Sequence, residues 1–271
     1  MRVKVNGEIV MSDDKWLYDW CELESTAPSD IRRALEDLPE GEELVLEINS
    51  GGGVVMAGFE IYSLLRQSGR RVVAEVQSYA ASAASTILQG CTVRRMSPVG
   101  QVMIHNPSCT AWGNATALGQ AAQMLEAGKE SILNAYELRS GGKCSREELS
   151  RLMDEERWMS AQEAVERGLA DEIVTQTDEG APAWAATLRN AAGGADIGTL
   201  RQRYEQLVRS GAREADPLHP VPPADGGAAA SQGKSDPPAQ GAEDHTGIRW
   251  QDEAWLDLER RKTSDFKEDE T

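Results

Sequence analysis

The sequence predicts an α/β fold built from stacked βαβ units. Two observations support this prediction. Apolar strand-like runs alternate with helical segments over residues 1–176, and the connections between them are short and contain glycine, proline or helix-capping residues. Consecutive strands joined by helices form parallel, right-handed crossovers. Residues 177–271 differ in composition and are predicted to form a low-complexity tail.

The first half of this domain contains three predicted strand regions and three helices. "VKVNGEIV" predicts a hairpin-like opening, because Asn6-Gly7 is a strong tight-turn pair. "SDIRRALEDLP" predicts a helix with Ser29 as its N-cap. The strand "EELVLEIN", the turn "SGGG" and a helix that closes at Gly69 follow. The strand "RVVAEVQ" then leads into an Ala/Ser-rich helix over residues 81–90.

The second half contains two strands and three helices. "QVMIHNP" predicts a strand that stops at Pro107. A long helix is predicted over residues 115–141. Two capping-box patterns, "SREE" and "SAQE", then each open a short helix, and "ADEIVTQ" predicts the last strand.

Composition and charge narrow the classes of function. The net charge is -17 and the pI about 4.7, which disfavours DNA or an anionic membrane as a main partner. No apolar run is long enough to span a bilayer or resembles a secretory signal. The four cysteines show no CxxC spacing and are expected to be reduced thiols of a cytoplasmic protein. Only His105 lies outside the tail, so a His-rich metal site is not expected.

The tail is proline-rich, with seven of the eleven prolines beyond Thr177. Residues 213–247 are predicted to be a disordered linker, because their composition buries too little apolar surface to offset the entropy of ordering. Two segments, near residues 198–210 and 248–262, have apolar residues at helical spacing. Either they are amphipathic helices that dock on a partner, or they are transient helices without one.

Three separated features point to acyl-transfer chemistry. The first is "INSGGGVV", where glycines between a strand and a helix let backbone N–H groups point at a negative charge. Such groups can form an oxyanion hole. By itself this pattern also suits a phosphate site or a simple turn, although no P-loop lysine follows and the glycine spacing is not that of a dinucleotide site.

The second feature is "VQSYAASAAST", where a serine follows a strand directly among small residues. This arrangement resembles the logic of a nucleophile elbow, although GxSxG is absent. Ser78, Ser82 and Ser85 are the candidates. A sequence of this composition more commonly forms a tightly packed Ala/Ser helix without catalytic function.

The third feature is "VMIHNP", which places His105 at the end of an apolar strand. A lone histidine is more often structural, but a serine nucleophile needs a neighbouring base and the predicted domain offers no other histidine. The base needs an orienting carboxylate, and "GLADEIV" places Asp171 at a helix-to-strand junction. Residue type alone does not select Asp171 among the many acidic residues.

Four motifs, "INSGGGVVMAGFEIY", "YAASAAS", "VMIHNP" and "WMSAQEAVERGLADEI", resemble in order and spacing those of the Clp protease proteolytic subunit (ClpP) family. The resemblance covers residues 1–176, and the N-terminal text looks most like the ClpP-related head maturation proteases of phages and prophages. It implies a ClpP/crotonase-like α/β fold of stacked βαβ units with a long handle helix, followed by a largely disordered C-terminal tail.

The resemblance also implies roles for individual residues. The family nucleophile follows two alanines, which matches Ser82; His105 matches the general base and Asp171 the orienting acid. The backbone N–H groups of Gly53 and Ala83 would form the oxyanion hole, with Gly52 supporting them. The helix over 115–141 would join rings face to face. The strand near 101–110 and the glycine-rich loop would flank an extended peptide substrate. No metal or organic cofactor is implied.

The function that follows is an ATP-independent serine endopeptidase that processes phage capsid and scaffold proteins, and its own tail, in the host cytoplasm or inside the prohead. The expected partners are copies of the chain in a ring-forming homo-oligomer and protein or peptide substrates. One alternative is a general ClpP subunit that works with a separate AAA+ unfoldase. Another is a capsid assembly or scaffold protein without catalysis. An unrelated α/β domain is disfavoured, because nucleophile, base, acid and oxyanion loop would all have to match by chance.

Overall fold

The computed structural model describes residues 1–174, 197–211 and 249–250. The strands are β1 (Arg2–Ile9), β2 (Ser25–Thr26), β3 (Leu44–Gly53), β4 (Val72–Ala81), β5 (Val93–Met96), β6 (Gln101–Ile104), β7 (Cys109–Thr110), β8 (Arg157–Ser160), β9 (Glu172–Ile173) and β10 (Arg249–Trp250). The helices are α1 (Lys15–Trp20), α2 (Pro28–Glu36), α3 (Val55–Gln67), α4 (Ala83–Gly90), α5 (Ala115–Ser140), α6 (Arg146–Asp154), α7 (Ala161–Glu166) and α8 (Ile197–Arg209).

One mostly parallel sheet organises the fold. Its strand order is β2-β1-β3-β4-β5-β9. β6 pairs with the far end of β4, beyond β5, and antiparallel with β8. Because helices connect the parallel strands, the predicted α/β fold of stacked βαβ units is confirmed. The long predicted helix is α5, with 26 residues.

The main hydrophobic core lies between this sheet and the helices packed on it. Ile48 of β3, Val76 of β4, Ile61 of α3 and Ile87 of α4 are all 1% exposed or less. All eight residues of α4 are buried, because its small side chains allow close packing on its neighbours. The start of α4 is therefore held rigidly where β4 ends.

A second, smaller cluster joins α8 to α1 just after the carboxyl end of β1. The Tyr204 ring meets the rings of Trp16 and Trp20 edge-on, with centroids 5.5 and 4.6 Å apart. Leu200 of α8 is also buried in this cluster, and Arg201 pairs with Asp14 at 3.2 Å. The helix predicted near residues 198–210 is thus an amphipathic helix docked on its own chain.

The predicted hairpin at Asn6-Gly7 is wrong. β1 continues through this pair and runs parallel to β3, with a register shift between Asn6 and Glu8. Gly7 has φ +66, and a Cβ there would lie 1.9 Å from the Glu24 carbonyl oxygen. The glycine therefore serves a bulge and a close backbone approach, which look the same as a turn in the local sequence.

The predicted N-cap Ser29 is also wrong. α2 begins at Pro28, whose fixed φ suits the first helical position, and Ala27 is the N-cap residue. The Asp30 carboxylate accepts the Ala27 N–H at 2.9 Å and so completes the cap from inside the helix. Ser29 instead donates its backbone N–H to Ser12 Oγ at 3.1 Å.

The tail segment predicted as a helix near 248–262 is described only at Arg249–Trp250, and these two residues form a strand that pairs with β7. At this point strand pairing overrides the helical spacing of the apolar residues. The linker predicted over 213–247 lies outside the described residues. Within the described ranges, no helix is long and apolar enough to cross a membrane.

Candidate active site

Ser82 occupies the sharp turn between β4 and α4. Its backbone has φ 52 and ψ -125, a region that costs a non-glycine residue about 1–3 kcal/mol. The Ser82 N–H donates to the Met103 carbonyl at 3.0 Å, and the Ser82 carbonyl accepts the Ser85 N–H at 2.9 Å. Strain of this kind at a strand-to-helix turn is typical of a nucleophile elbow.

His105 follows β6 directly, and β6 pairs with the end of β4 through Ala81 and Met103. This pairing brings the imidazole to the serine, so that His105 Nε2 lies 2.7 Å from Ser82 Oγ. The distance is that of a hydrogen bond between a nucleophile and its base. The structure therefore brings the predicted nucleophile and the predicted base together.

The other two candidate serines lie in different environments. Ser78 is within β4. Ser85 is fully buried in α4, where its hydroxyl donates to the Ser82 carbonyl and lies 2.7 Å from the hydroxyl of Tyr136. Burial raises the pKa of Tyr136 to about 12, so this hydroxyl stays neutral. Ser85 supports the turn at Ser82.

The glycine-rich end of β3 lies against Ser82. Gly52 has φ +102, and a Cβ at this position would lie 2.5 Å from Ser82 Cβ and 3.0 Å from the Ala83 nitrogen. Gly53 has φ +142 and abuts the backbone of Ile9 in β1. The Gly52 N–H already donates to Ser50 Oγ at 3.1 Å. The peptide group that joins Gly52 to Gly53 and the first N–H of α4 therefore border Ser82.

The structure does not bring Asp171 to His105, which contradicts the predicted orienting role. The Asp171 N–H donates to the Arg94 carbonyl at 2.8 Å, and its carboxylate accepts from the Arg94 backbone N–H and guanidinium. Arg94 pairs with Ala74 of β4, eight residues before Ser82. At about 3.3 Å per strand residue, this places Asp171 on the order of 25 Å from Ser82 along the sheet.

Glu156 is the acidic residue that sequence reasoning missed. The antiparallel β6–β8 ladder ends where Ile104 pairs with Arg157. Glu156 immediately precedes Arg157 and His105 immediately follows Ile104, which puts the two residues next to each other at this end of the ladder. Glu156 lies in the turn before β8, where its N–H donates to the Met153 carbonyl at 3.2 Å. Glu156 has φ +50, an uncommon backbone conformation for a residue with a side chain. The strand "RWMS", which directly follows Glu156, is the sequence feature that could have indicated this residue, and the sequence analysis did not predict it.

Asp154 is a second carboxylate near His105, but it is already engaged. Its Oδ1 accepts from Asn106 Nδ2 at 2.9 Å and from Lys129 Nζ at 2.7 Å. The hydrogen bond from Asn106 and, to a smaller extent, the one from Lys129 lower the pKa of Asp154 below its ordinary value. Asp154 therefore ties the segment after His105 to α5.

A small pocket lies beside the Ser82–His105 pair. Its lining is mostly apolar and comes from α3, α4, α5 and the segment after β6: Val55, Phe59, Ala83, Thr86, Pro107, Ile132 and Tyr136. Such a lining suits an apolar side chain.

Comparison with known proteins finds sequence similarity over the part of the chain that carries this site. The sequence model of the family described as Clp protease matches residues 31–177, more than half of the chain. The ATP-dependent Clp protease proteolytic subunit 1 of Chlamydia trachomatis serovar D is 37% identical over 145 residues, which cover 52% of this chain and 74% of the relative. Subunit 2 of Corynebacterium glutamicum is 32% identical over 135 residues, covering 49% and 66%. Subunit 1 of Streptomyces avermitilis is 32% identical over 142 residues, covering 52% and 64%.

Proposed function

The chain belongs to the Clp protease family, and from that premise we propose that it is a serine endopeptidase that cleaves peptide bonds through an acyl-enzyme. The observation that carries the proposal is the 2.7 Å contact between Ser82 Oγ and His105 Nε2 at a strained strand-to-helix turn. Membership in the family by itself implies serine-type peptidase chemistry.

The proposed reaction has two steps. His105 Nε2 accepts the Ser82 proton while Oγ attacks the scissile carbonyl, and the protonated imidazole then gives its proton to the leaving amine. Water, deprotonated by His105, hydrolyses the acyl-enzyme and returns the hydroxyl to Ser82. The N–H groups of Gly53 and Ala83 would stabilise the tetrahedral oxyanion, and one such donor contributes roughly 10²–10³ in kcat.

Glu156 is the proposed orienting acid in place of Asp171. The pairing of β6 with β8 supports this assignment, because it puts Glu156 next to His105 at the end of the ladder. A carboxylate there would favour the tautomer with its proton on Nδ1, leaving Nε2 free to accept the proton of Ser82.

The substrate is proposed to be an extended peptide with an apolar residue at the cleaved bond. The apolar pocket beside Ser82 supports this preference. The edge formed by β7 and the glycine-rich end of β3 would flank the peptide, because extended peptides bind by adding a strand to an exposed edge.

A fluorophosphonate probe tests the proposed nucleophile directly. The probe should add its mass to a peptide that contains Ser82, with loss of labelling in Ser82→Ala. The same protein should cleave a fluorogenic peptide with an apolar P1 residue. Absence of both labelling and cleavage in folded protein would favour a non-catalytic assembly role.

The names of the relatives favour a second candidate, a proteolytic subunit that works with a separate ATP-fuelled unfoldase. Stimulation of casein degradation by such a partner would support it. Cleavage of capsid or scaffold proteins in a phage prohead instead rests on the resemblance of the N-terminal text alone. ATP-independent processing of a cognate coat protein would distinguish it, and ring assembly is common to both candidates.

A further inference from the structure

The tail returns to the protease domain close to the candidate active site. β10 pairs antiparallel with β7, with Arg249 opposite Thr110 and Trp250 opposite Cys109. β7 begins four residues after His105, and among the described residues β10 is its only strand partner. A piece of the chain's own tail thus adds a strand to an edge beside the catalytic pair.

The same tail is anchored on the other side of the catalytic pair. α8 packs on α1, which follows β1, and the Ile9 carbonyl of β1 accepts the Val54 N–H at 2.8 Å next to the glycine-rich loop. Tyr204 and Leu200 are 5% and 2% exposed in this contact. The buried apolar contact makes α8 the firm attachment, and 39 residues separate its end at Arg209 from β10.

We propose that the Arg249–Trp250 segment occupies the strand-addition edge that a peptide substrate uses, so that the tail acts as an intramolecular competitor of substrate. The proposal rests on the proposed peptidase function, because it assigns the occupied edge to that substrate. The occupant is this segment of the chain, which the structure seats on β7 in the extended, antiparallel form of an added strand.

The pairing has the properties of a reversible contact. It comprises only two residue pairs, and Cys109 and Thr110 are half-buried and exposed, respectively. An isolated two-stranded ladder is marginally stable in water. Tethering by α8 compensates for this weakness, because a linked segment binds its site at an effective concentration of about mM. A free peptide must therefore compete with a weak but always present ligand.

The test measures binding to the full chain in a Ser82→Ala background, so that no cleavage occurs. The ligand is a fluorescein-labelled peptide with the sequence of residues 244–255, followed by anisotropy. Arg249→Pro and Trp250→Pro each remove one backbone N–H donor. Because only one of two neighbouring N–H groups in a strand points at the partner strand, one of the two variants removes a hydrogen bond to β7 and the other does not. Ser235→Pro adds a proline to the tail outside β10 and is the matched control.

One of the two β10 variants should bind the labelled peptide about 5- to 10-fold more tightly than the parent and Ser235→Pro, because the competitor is weakened. In the same variant, amide exchange at Cys109 and Thr110 should be faster. With Ser82 intact, KM for a short peptide should fall while kcat stays the same. An equal Kd in all four proteins, or no binding to any of them, would overturn the proposal.

This test is separate from that of the proposed function. Peptide binding and amide exchange need no catalysis, so an inactive Ser82 would leave both results interpretable. Failure of the fluorophosphonate to label Ser82 would remove the peptidase proposal and with it the assignment of the edge to a peptidase substrate, while the binding result would still decide whether the tail segment competes for that edge. Equal binding together with normal labelling would remove the competitor proposal alone.

Discussion

Arg94 holds the carboxylate of Asp171 through its backbone N–H, Nε and Nη2. The Arg94 side chain is 4% exposed and also donates to Gln89 Oε1 at 2.5 Å and to the Gly168 carbonyl at 2.9 Å. These bonds tie α4 and β5 to the turn that precedes β9. Desolvation opposes ionisation of Asp171, but the bonds and charge of Arg94 outweigh it and lower the pKa of Asp171 below its ordinary value.

Asp171→Asn should therefore destabilise the fold. We expect a loss of about 1–3 kcal/mol at pH 7, less than for a fully buried pair because the Asp171 side chain is 37% exposed. A carboxyl group whose pKa is lower in the folded than in the unfolded state stabilises the fold at pH values above its unfolded-state pKa. This stabilisation is lost as the pH falls through its folded-state pKa. Urea unfolding at pH 7 and near pH 3 should show the parent and the variant converging in acid.

The same variant separates the two candidate orienting acids. Folded Asp171→Asn should react with a fluorophosphonate at the parent rate, because the pair lies far from Ser82. A labelling rate that falls to the level of a triad mutant, at unchanged folded fraction, would restore Asp171 as the partner of His105.

The parts of the site that the sequence could predict are local in the chain. His105 follows an apolar strand directly, so strand end and residue type make it a candidate. The same local signals made Ser82 one of three candidate serines, and the resemblance to the family motif selected it among them. The serine N-caps are also local: Ser145 Oγ accepts the Glu148 N–H, and Ser160 Oγ accepts the Glu163 N–H, as predicted. The Glu148 and Glu163 side chains accept from Arg167.

The parts that the sequence could not predict depend on contacts between distant segments. Asp171 follows "GLA" at a helix-to-strand junction, but its partner Arg94 is 77 residues earlier and is selected only by the pairing of β5 with β9. Glu156 owes its position to the pairing of β6 with β8. The sequence of β8 shows no alternation of apolar and polar residues from which that strand could be predicted. Trp250 forms a strand through a partner 141 residues away, against its local helical spacing.

Ser82→Ala should abolish fluorophosphonate labelling and lower peptide hydrolysis by roughly 10⁴-fold or more, because it removes the hydroxyl that lies 2.7 Å from His105 Nε2. Ser78→Ala is the matched control, since it removes a hydroxyl four residues earlier on β4. The control should retain labelling at Ser82. Loss of labelling in Ser78→Ala with Ser82 intact would count against the assignment.

Gly52→Ala should inactivate the enzyme without unfolding it. The new Cβ would lie 2.5 Å from Ser82 Cβ, so the loop or the serine must shift, and misplacement of about 1 Å costs roughly 10²-fold in rate. Gly41→Ala also introduces a Cβ at positive φ, with nothing within 4 Å of it. It controls for backbone strain alone, and kcat measured beside Tm should separate the two. Equal kcat in both variants would show that Gly52 does not shape the site.

Glu156→Gln should lower kcat by about 10²- to 10⁴-fold, because an amide does not favour the required imidazole tautomer as a carboxylate does. Asp154→Asn is the matched control: it changes a carboxylate that already binds Asn106 and Lys129, and kcat should change far less. Glu156→Asp keeps the charge and should recover part of the rate, whereas a purely structural role would make the shorter side chain as harmful as the amide.

The pH dependence of kcat/KM gives a second measurement, since loss of the carboxylate should move the acidic limb, set by His105, to lower pH. An unchanged limb together with parental kcat in Glu156→Gln would leave His105 oriented by some other group.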